Sequence, residues 1–139
     1  MECSYKRNRH ACYNLQYHLV VVTKYRHPCI TGEMLERLKT ITSEILATWK
    51  CELVEFNGEP DHVHILFEAP PQVQLSKLVN NFKTVSSRYI RKEYIEHLNK
   101  YYWKPYFWNR SYLLLSVGGA PIEIIKRYIQ DQEHDANPS

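Results

Sequence analysis

His62-Val63-His64 sets two imidazoles two residues apart. On a strand both project to one face, because side chains alternate. Two imidazoles side by side can hold one divalent metal ion. Two polar residues on an exposed strand face have the same spacing, so the match raises a hypothesis and no more. Tyr128 and Gln132 lie four apart, hence on one face if the segment is a helix. A phenol and an amide there could serve as nucleophile and metal ligand. A half-buried Tyr beside the Ile125 and Ile129 stripe is the plainer alternative. In Phe82-Lys83-Thr84-Val85-Ser86-Ser87-Arg88, Lys83 shares a helix face with Ser87, and Thr84 with Arg88. Hydroxyls and cations together suit phosphate oxygens. Lys24-Tyr25-Arg26 is a similar basic-aromatic cluster, and Trp108-Asn109-Arg110 could add stacking and a phosphate contact. A solvated helix face accounts for such clusters equally well.

These groups need rigid elements behind them. Asn14 to Lys24 reads as a strand with Leu15, Tyr17, Leu19 and Val21 on one face. Thr31 caps a helix whose apolar stripe is Met34, Leu35, Leu38, Ile41, Ile45, Leu46 and Trp49. Cys51 to Asn57 is a second strand, Gly58-Glu59-Pro60 a turn, and His62 to Glu68 a third strand. The histidines thus stand at the start of a strand anchored by Ile65, Leu66 and Phe67. After Pro70-Pro71, a second helix turns Leu75, Leu78, Val79, Phe82, Val85, Tyr89 and Ile90 inward. Tyr101 to Asn109 is aromatic and irregular, and Ser111 to Val117 is a fourth strand. Gly118-Gly119 interrupts the chain, and Pro121 suits the first turn of a last helix. Two interleaved strand-helix-strand units predict an α+β, ferredoxin-like antiparallel sheet with helices on one face. The C-terminal helix that carries Tyr128 must pack elsewhere.

Composition narrows the partners. With 139 residues, 44% of them hydrophobic and 24% charged, the chain is one globular domain over 1–139. No apolar run reaches about 18 residues, which excludes a helical membrane span. The N-terminus has no secretory pattern, so a cytoplasmic protein is expected. The cysteines at 3, 12, 29 and 51 include no C-x-x-C pair, which argues against a zinc ribbon or a disulfide framework. Within residues 1–30, Lys6, Arg7, Arg9, Lys24 and Arg26 face Glu2 alone. Residues 120–139 are acidic instead. A basic N-terminal third suggests an anionic partner, and 11 tyrosines with 3 tryptophans offer surfaces on which unpaired bases stack.

Taken in order, these stretches resemble the single-tyrosine, HUH-type transposases of the smallest insertion sequences, the insertion-sequence-200-like group. The matching pieces are Tyr17-His18-Leu19-Val20 leading to Lys24-Tyr25-Arg26, then Asp61-His62-Val63-His64-Ile65, then Phe82-Lys83 with Ser86-Ser87-Arg88. Trp108 before Ser111-Tyr112, Val117-Gly118-Gly119-Ala120-Pro121 and Ile125-Lys126-Arg127-Tyr128-Ile129 with Gln132 complete the set. The likeness covers a core of about residues 10–134. It implies a DNA transposase that cleaves and rejoins single-stranded DNA after recognising hairpins near the element's ends. The implied assembly is a homodimer at the nucleoid, with the tyrosine helix acting in trans. The implied cofactor is Mg²⁺ or Mn²⁺ on His62, His64 and Gln132. Tyr128 is the implied nucleophile, leaving a 5′-phosphotyrosine. Lys24, Tyr25, Arg26, Lys83, Ser87, Arg88 and Arg110 are the expected DNA contacts. Asp61 is expected behind the histidines, with Gly118 and Gly119 as a hinge. His18 is expected as a packed neighbour rather than a ligand.

Three alternatives stay open at this level. One is a non-catalytic or domesticated relative that binds hairpin DNA or RNA. Another is a repeat-associated tyrosine transposase with its own hairpin. The third is a two-histidine metal protein unrelated to DNA.

Overall fold

The computed structural model describes residues 6–8, 11–13, 15–117 and 122–132. Gly118, Gly119 and Pro121 lie outside them, and so do the hinge and helix-entry roles expected there. Lys6–Asn8 (β1) and Ala11–Tyr13 (β2) form a small antiparallel hairpin. Leu15–Val22 (β3), Gly32–Thr48 (α1), Glu52–Glu59 (β4), His62–Ala69 (β5), Leu75–Glu93 (α2), the short Ile95–Leu98 (α3), Leu113–Ser116 (β6) and Ile122–Asp131 (α4) follow. The main sheet is antiparallel, in the order β4-β5-β3-β6. Strands joined through a helix are never neighbours in it, as interleaved strand-helix-strand units require. The ferredoxin-like expectation is met.

Thr31 caps α1 by accepting the Met34 N–H at 3.1 Å. Met34, Leu38, Ile41, Ile45 and Leu46 are buried from α1. Leu78, Val79, Phe82 and Ile90 meet them from α2, over Leu19, Val21, Val63, Ile65 and Phe67 of the sheet. Alternation does the rest. Val63, Ile65 and Phe67 face the helices, so His62, His64 and Leu66 face away.

That outer face is not bare. Val20 and Val22 are fully buried on it, under Ile125 of α4, with Leu113, Leu115 and Ile129 packed around them. The run Leu19-Val20-Val21-Val22 is therefore apolar because both faces of β3 are covered.

Three local expectations are corrected. Gly58 and Glu59 belong to β4, and the turn is Pro60-Asp61. Tyr89 is 45% exposed beneath the Arg37 guanidinium, and Ser86 takes the buried place on α2. Trp108 is 8% exposed and donates its Nε1–H to Ser86 Oγ at 2.9 Å, so it is core and offers no stacking surface.

Gly58 pairs with Val63 between the two histidine rungs. A Cβ there would run into Leu35 Cδ1 and come within 3.2 Å of Val63 Cγ1 and His62 O. Gly58→Val is expected to cost about 1–3 kcal/mol by overpacking. Urea unfolding should show a lower midpoint at unchanged slope.

Candidate active site and nucleic-acid interface

β5 is held on both edges. His62 lies opposite Val22 and Glu59, and His64 opposite Val20 and Asn57. The two rings stand 4.8 Å apart, nearly perpendicular at 80°. Each has its Nδ1 engaged. His62 Nδ1–H donates to Asp61 Oδ1 at 2.7 Å. Burial alone would raise the Asp61 carboxyl, but the bonds from His62 and Arg26 outweigh it and hold it below its ordinary value. It is thus a carboxylate, and can only accept. His64 Nδ1 lies 3.2 Å from His18 Nε2. Burial, then the neighbouring His62 and His18, push His64 down to about 4, so it is neutral at pH 7. Burial also lowers His18, against a smaller pull from Glu55. His62 and His64 open onto a cavity of about 390 Å³ whose other wall is Ile125, Lys126, Ile129 and Gln130 of α4.

Tyr128 and Gln132 occupy the other flank of the same helix. Tyr128 OH bonds Ser111 Oγ at 2.8 Å. Gln132 Oε1 accepts from Asn109 Nδ2 and from Ser111 Oγ, the latter at 3.1 Å, while its Nε2 donates to the Tyr128 carbonyl at 2.8 Å. Burial raises the phenol, with the Ser111 bond opposing. Neither residue lines the histidine cavity. The structure joins His62 with His64 and Tyr128 with Gln132, and it keeps the two pairs apart within one chain. Among the described residues no group of three or more His, Cys, Asp or Glu could hold a metal ion.

A cationic groove of about 650 Å³ runs between α2 and the irregular segment before β6. Lys83, Ser87, Arg88 and Arg110 all line it, as the sequence suggests, together with Thr84, Arg91 and Tyr106. Lys83 Nζ donates to the Arg110 carbonyl at 2.6 Å, and burial, then Lys24, lower its pKa. Lys24 stands 5.1 Å from the centres of both the Tyr25 and Tyr106 rings. Tyr25 packs edge-on against Tyr106 rather than lying open. Arg26 departs from the cluster altogether, with Nε–H donating to Asp61 Oδ2 at 3.0 Å. Beyond Arg91 and Tyr106 an adjoining hollow ends at Trp103, 83% exposed with Lys104 Nζ 4.7 Å from its ring centre.

Sequence reasoning missed several of these residues. Arg91 follows Lys83, Ser87 and Arg88 along α2, so helical spacing could have found it. The part of Ser111 could not be read, because it depends on how α4 lies across the sheet.

Comparison with known proteins gives the family. The family model described as "Transposase IS200 like" matches residues 11–132. The ISDra2 transposase TnpA of Deinococcus radiodurans is 36% identical over 130 residues, covering 94% of this chain and 91% of that protein. The transposase for insertion sequence element IS200 of Salmonella typhimurium is 31% identical over 124 residues, 88% and 80% of the two chains. A transposase-like protein solved by crystallography from Deinococcus radiodurans R1 superposes with a TM-score of 0.84 at 36% identity, covering 94% and 99%. A tyrosine transposase solved with a REP hairpin shares the fold alone, with a TM-score of 0.51 at 11% identity over 89% and 67%. The chain belongs to the IS200-like transposase family. It is therefore an enzyme of DNA transposition, a class that cleaves DNA and transfers strands. No described helix is long and apolar enough to cross a membrane.

The buried histidine predicts a pH response. The folded pKa of His64 is about 4, against 6.5 for a free imidazole. Between those values the unfolded chain binds the extra proton more readily. The contribution is fully present above pH 6.5 and is lost as pH falls toward 4, with His18 adding in the same direction. In chelator-treated protein the urea midpoint should fall steadily from pH 7 to pH 4.5. His64→Gln should flatten that slope, and an equally steep slope in the variant would remove His64 as its source.

Proposed function

We propose that this transposase cuts and rejoins single-stranded DNA through Tyr128, with a divalent ion held by His62, His64 and Gln132. One observation carries the reading: both strand histidines have Nδ1 engaged, which leaves both Nε2 atoms for a shared ligand. Asp61 fixes His62 in the Nδ1–H form. With His64 Nδ1–H donating to His18, its Nε2 keeps a lone pair as well. The donor set fits Mn²⁺ or Mg²⁺, since two neutral imidazoles and an amide oxygen leave the ion's charge intact. When bound, the ion supplies Lewis-acid polarisation of the scissile phosphate.

The chain's own residues supply the remaining chemistry. Tyr128 Oη attacks phosphorus, its proton is lost, and the 3′-oxygen leaves as a hydroxyl. The DNA 5′-end stays on the tyrosine as a phosphodiester. A second strand's 3′-hydroxyl can then reverse the step without an external energy source. Lys126 lines the histidine cavity and is a cation available to the phosphate.

In the arrangement described, Tyr128 is a protonated phenol on Ser111, turned from its own chain's histidines. This supports a homodimer in which α4 serves the partner's histidines. The cationic groove, with Lys83, Arg88, Arg91 and Arg110 along it, suits hairpin DNA near the element's ends. The solved tyrosine transposase with a bound REP hairpin offers a parallel at the level of fold.

Two experiments test this. Labelled single strands flanking the gene, incubated with protein and Mn²⁺, should give a covalent adduct on a denaturing gel, on one strand only. Tyr128→Phe should reduce the adduct to background while hairpin binding persists. Mixing Tyr128→Phe with His64→Ala should restore it in heterodimers. Retained adduct in Tyr128→Phe would remove the nucleophile, and no restoration would remove the trans arrangement. Separately, hairpin affinity should fall steeply with salt. Lys83→Ala and Arg88→Ala should each reduce the logarithmic salt slope by about 0.7 to 0.9. Unchanged slopes would take the groove out of the interface.

A further inference from the structure

Arg26 belongs by sequence to the basic cluster beside the groove, yet its side chain serves the other site. Its Nε–H reaches Asp61 Oδ2 at 3.0 Å, and the second oxygen of that carboxylate takes the His62 Nδ1–H at 2.7 Å. The backbone around Arg26 is tied to the same place. Thr23 donates from N to the Asp61 carbonyl at 2.9 Å, and its Oγ1–H is shared between the His27 carbonyl at 2.8 Å and the Asp61 carbonyl at 3.2 Å. Arg26 N donates to the Thr23 carbonyl at 2.8 Å, and Tyr102 OH donates to the Lys24 carbonyl at 2.6 Å. Tyr25 and Arg26 hold φ of 58° and 57°, a left-handed region that side chains other than glycine rarely adopt. That turn keeps Lys24 by Tyr106 while its neighbour but one goes to Asp61.

We propose that Arg26 is a positioning residue for His62, acting through Asp61 to fix the imidazole's orientation and its Nδ1–H tautomer. The inference rests on the metal-ligand reading of His62. A carboxylate with one partner can turn about its Cβ–Cγ bond, and a donor on each oxygen fixes its plane. Asp61 then has one geometry in which to take the imidazole proton, and Nε2 is the nitrogen left over. The competing role is a phosphate contact, which would leave the His62 tautomer and the metal affinity of the DNA-free protein unchanged by loss of Arg26.

The test uses DNA-free protein. Histidine-ring nitrogen NMR of the chelated protein reads the tautomer, and Mn²⁺ titration followed by electron paramagnetic resonance reads affinity. His62 should be mainly the Nδ1–H tautomer in the parent chain. Arg26→Gln should give a mixture of tautomers and weaken Mn²⁺ about tenfold, the low end of what losing a ligand's partner costs. Arg26→Lys, which keeps a charged donor, should recover part of both, and it carries the test if Arg26→Gln fails to fold. An unchanged ring spectrum with unchanged Mn²⁺ affinity, and only oligonucleotide binding lost, would overturn the proposal. His62→Ala separates the two readings. If it leaves Mn²⁺ affinity intact, His62 is no ligand and the metal role falls. The ring spectra of the Arg26 variants would still decide the contact itself, since a shifted tautomer supports it and an unshifted one overturns it.

Discussion

The site depends on the register of β5. That strand is paired on both edges, and its inward residues Val63, Ile65 and Phe67 are each at most 1% exposed. A slip of one residue would drive two imidazoles into the helix-covered core and turn three large apolar side chains outward. Burying each apolar side chain is worth about 1.5–3 kcal/mol, so the correct register is strongly preferred. The histidines are placed by the hydrophobic residues between and beyond them. Their shared face then needs only the Nδ1 partners Asp61 and His18, supplied by the preceding turn and the neighbouring strand.

The outer face carries a second constraint. Its apolar cluster is small, with Val20, Val22 and Ile125 as its buried members, against the extensive core beneath α1 and α2. α4 lies across it with the chemistry divided between its flanks: Lys126 and Gln130 toward the histidines, Tyr128 and Gln132 toward Asn109 and Ser111. The i, i+4 relation that makes Tyr128 and Gln132 a unit also keeps both off the histidine cavity. The in-trans reading asks that α4 exchange one small contact for another, a far smaller demand than moving α1 or α2.

Much of this was legible because it rests on short-range pattern. Alternation in His62–Phe67, the Thr31 cap and the apolar stripe of α1 follow from residue types at fixed spacing. An apolar stripe puts Tyr89 inward, whereas the polar Ser86 takes the buried place. Its hydroxyl is buried because it accepts the Trp108 indole and donates to the Phe82 carbonyl. A polar group with both bonding roles filled is no obstacle to burial. The β1–β2 hairpin and α3 are too short to leave a periodic signal. The place of α4 could not be read from its own sequence either. The hint lay in β3, whose unbroken Leu19–Val22 run required cover on both faces.

The splitting of Lys24-Tyr25-Arg26 shows what adjacency in sequence cannot convey. Two successive left-handed residues cost of order 1–3 kcal/mol each. Thr23, Tyr102 and Asp61 offset that cost with hydrogen bonds on either side of the turn. A regular extension of β3 would put Lys24 and Arg26 on one face of the sheet and Tyr25 on the other. The turn instead divides them between two surfaces. Lys24 joins Tyr106 and Lys83 beside the cationic groove, and Arg26 joins Asp61 behind His62. Three residues of backbone, Lys24 to Arg26, thus connect the surface suited to phosphates with the strand end suited to a metal ion. Because Thr23 is bonded to Asp61 and Lys24 to Phe107 and Tyr102, the two surfaces share one rigid junction. Displacing either end of the loop must strain the same set of bonds.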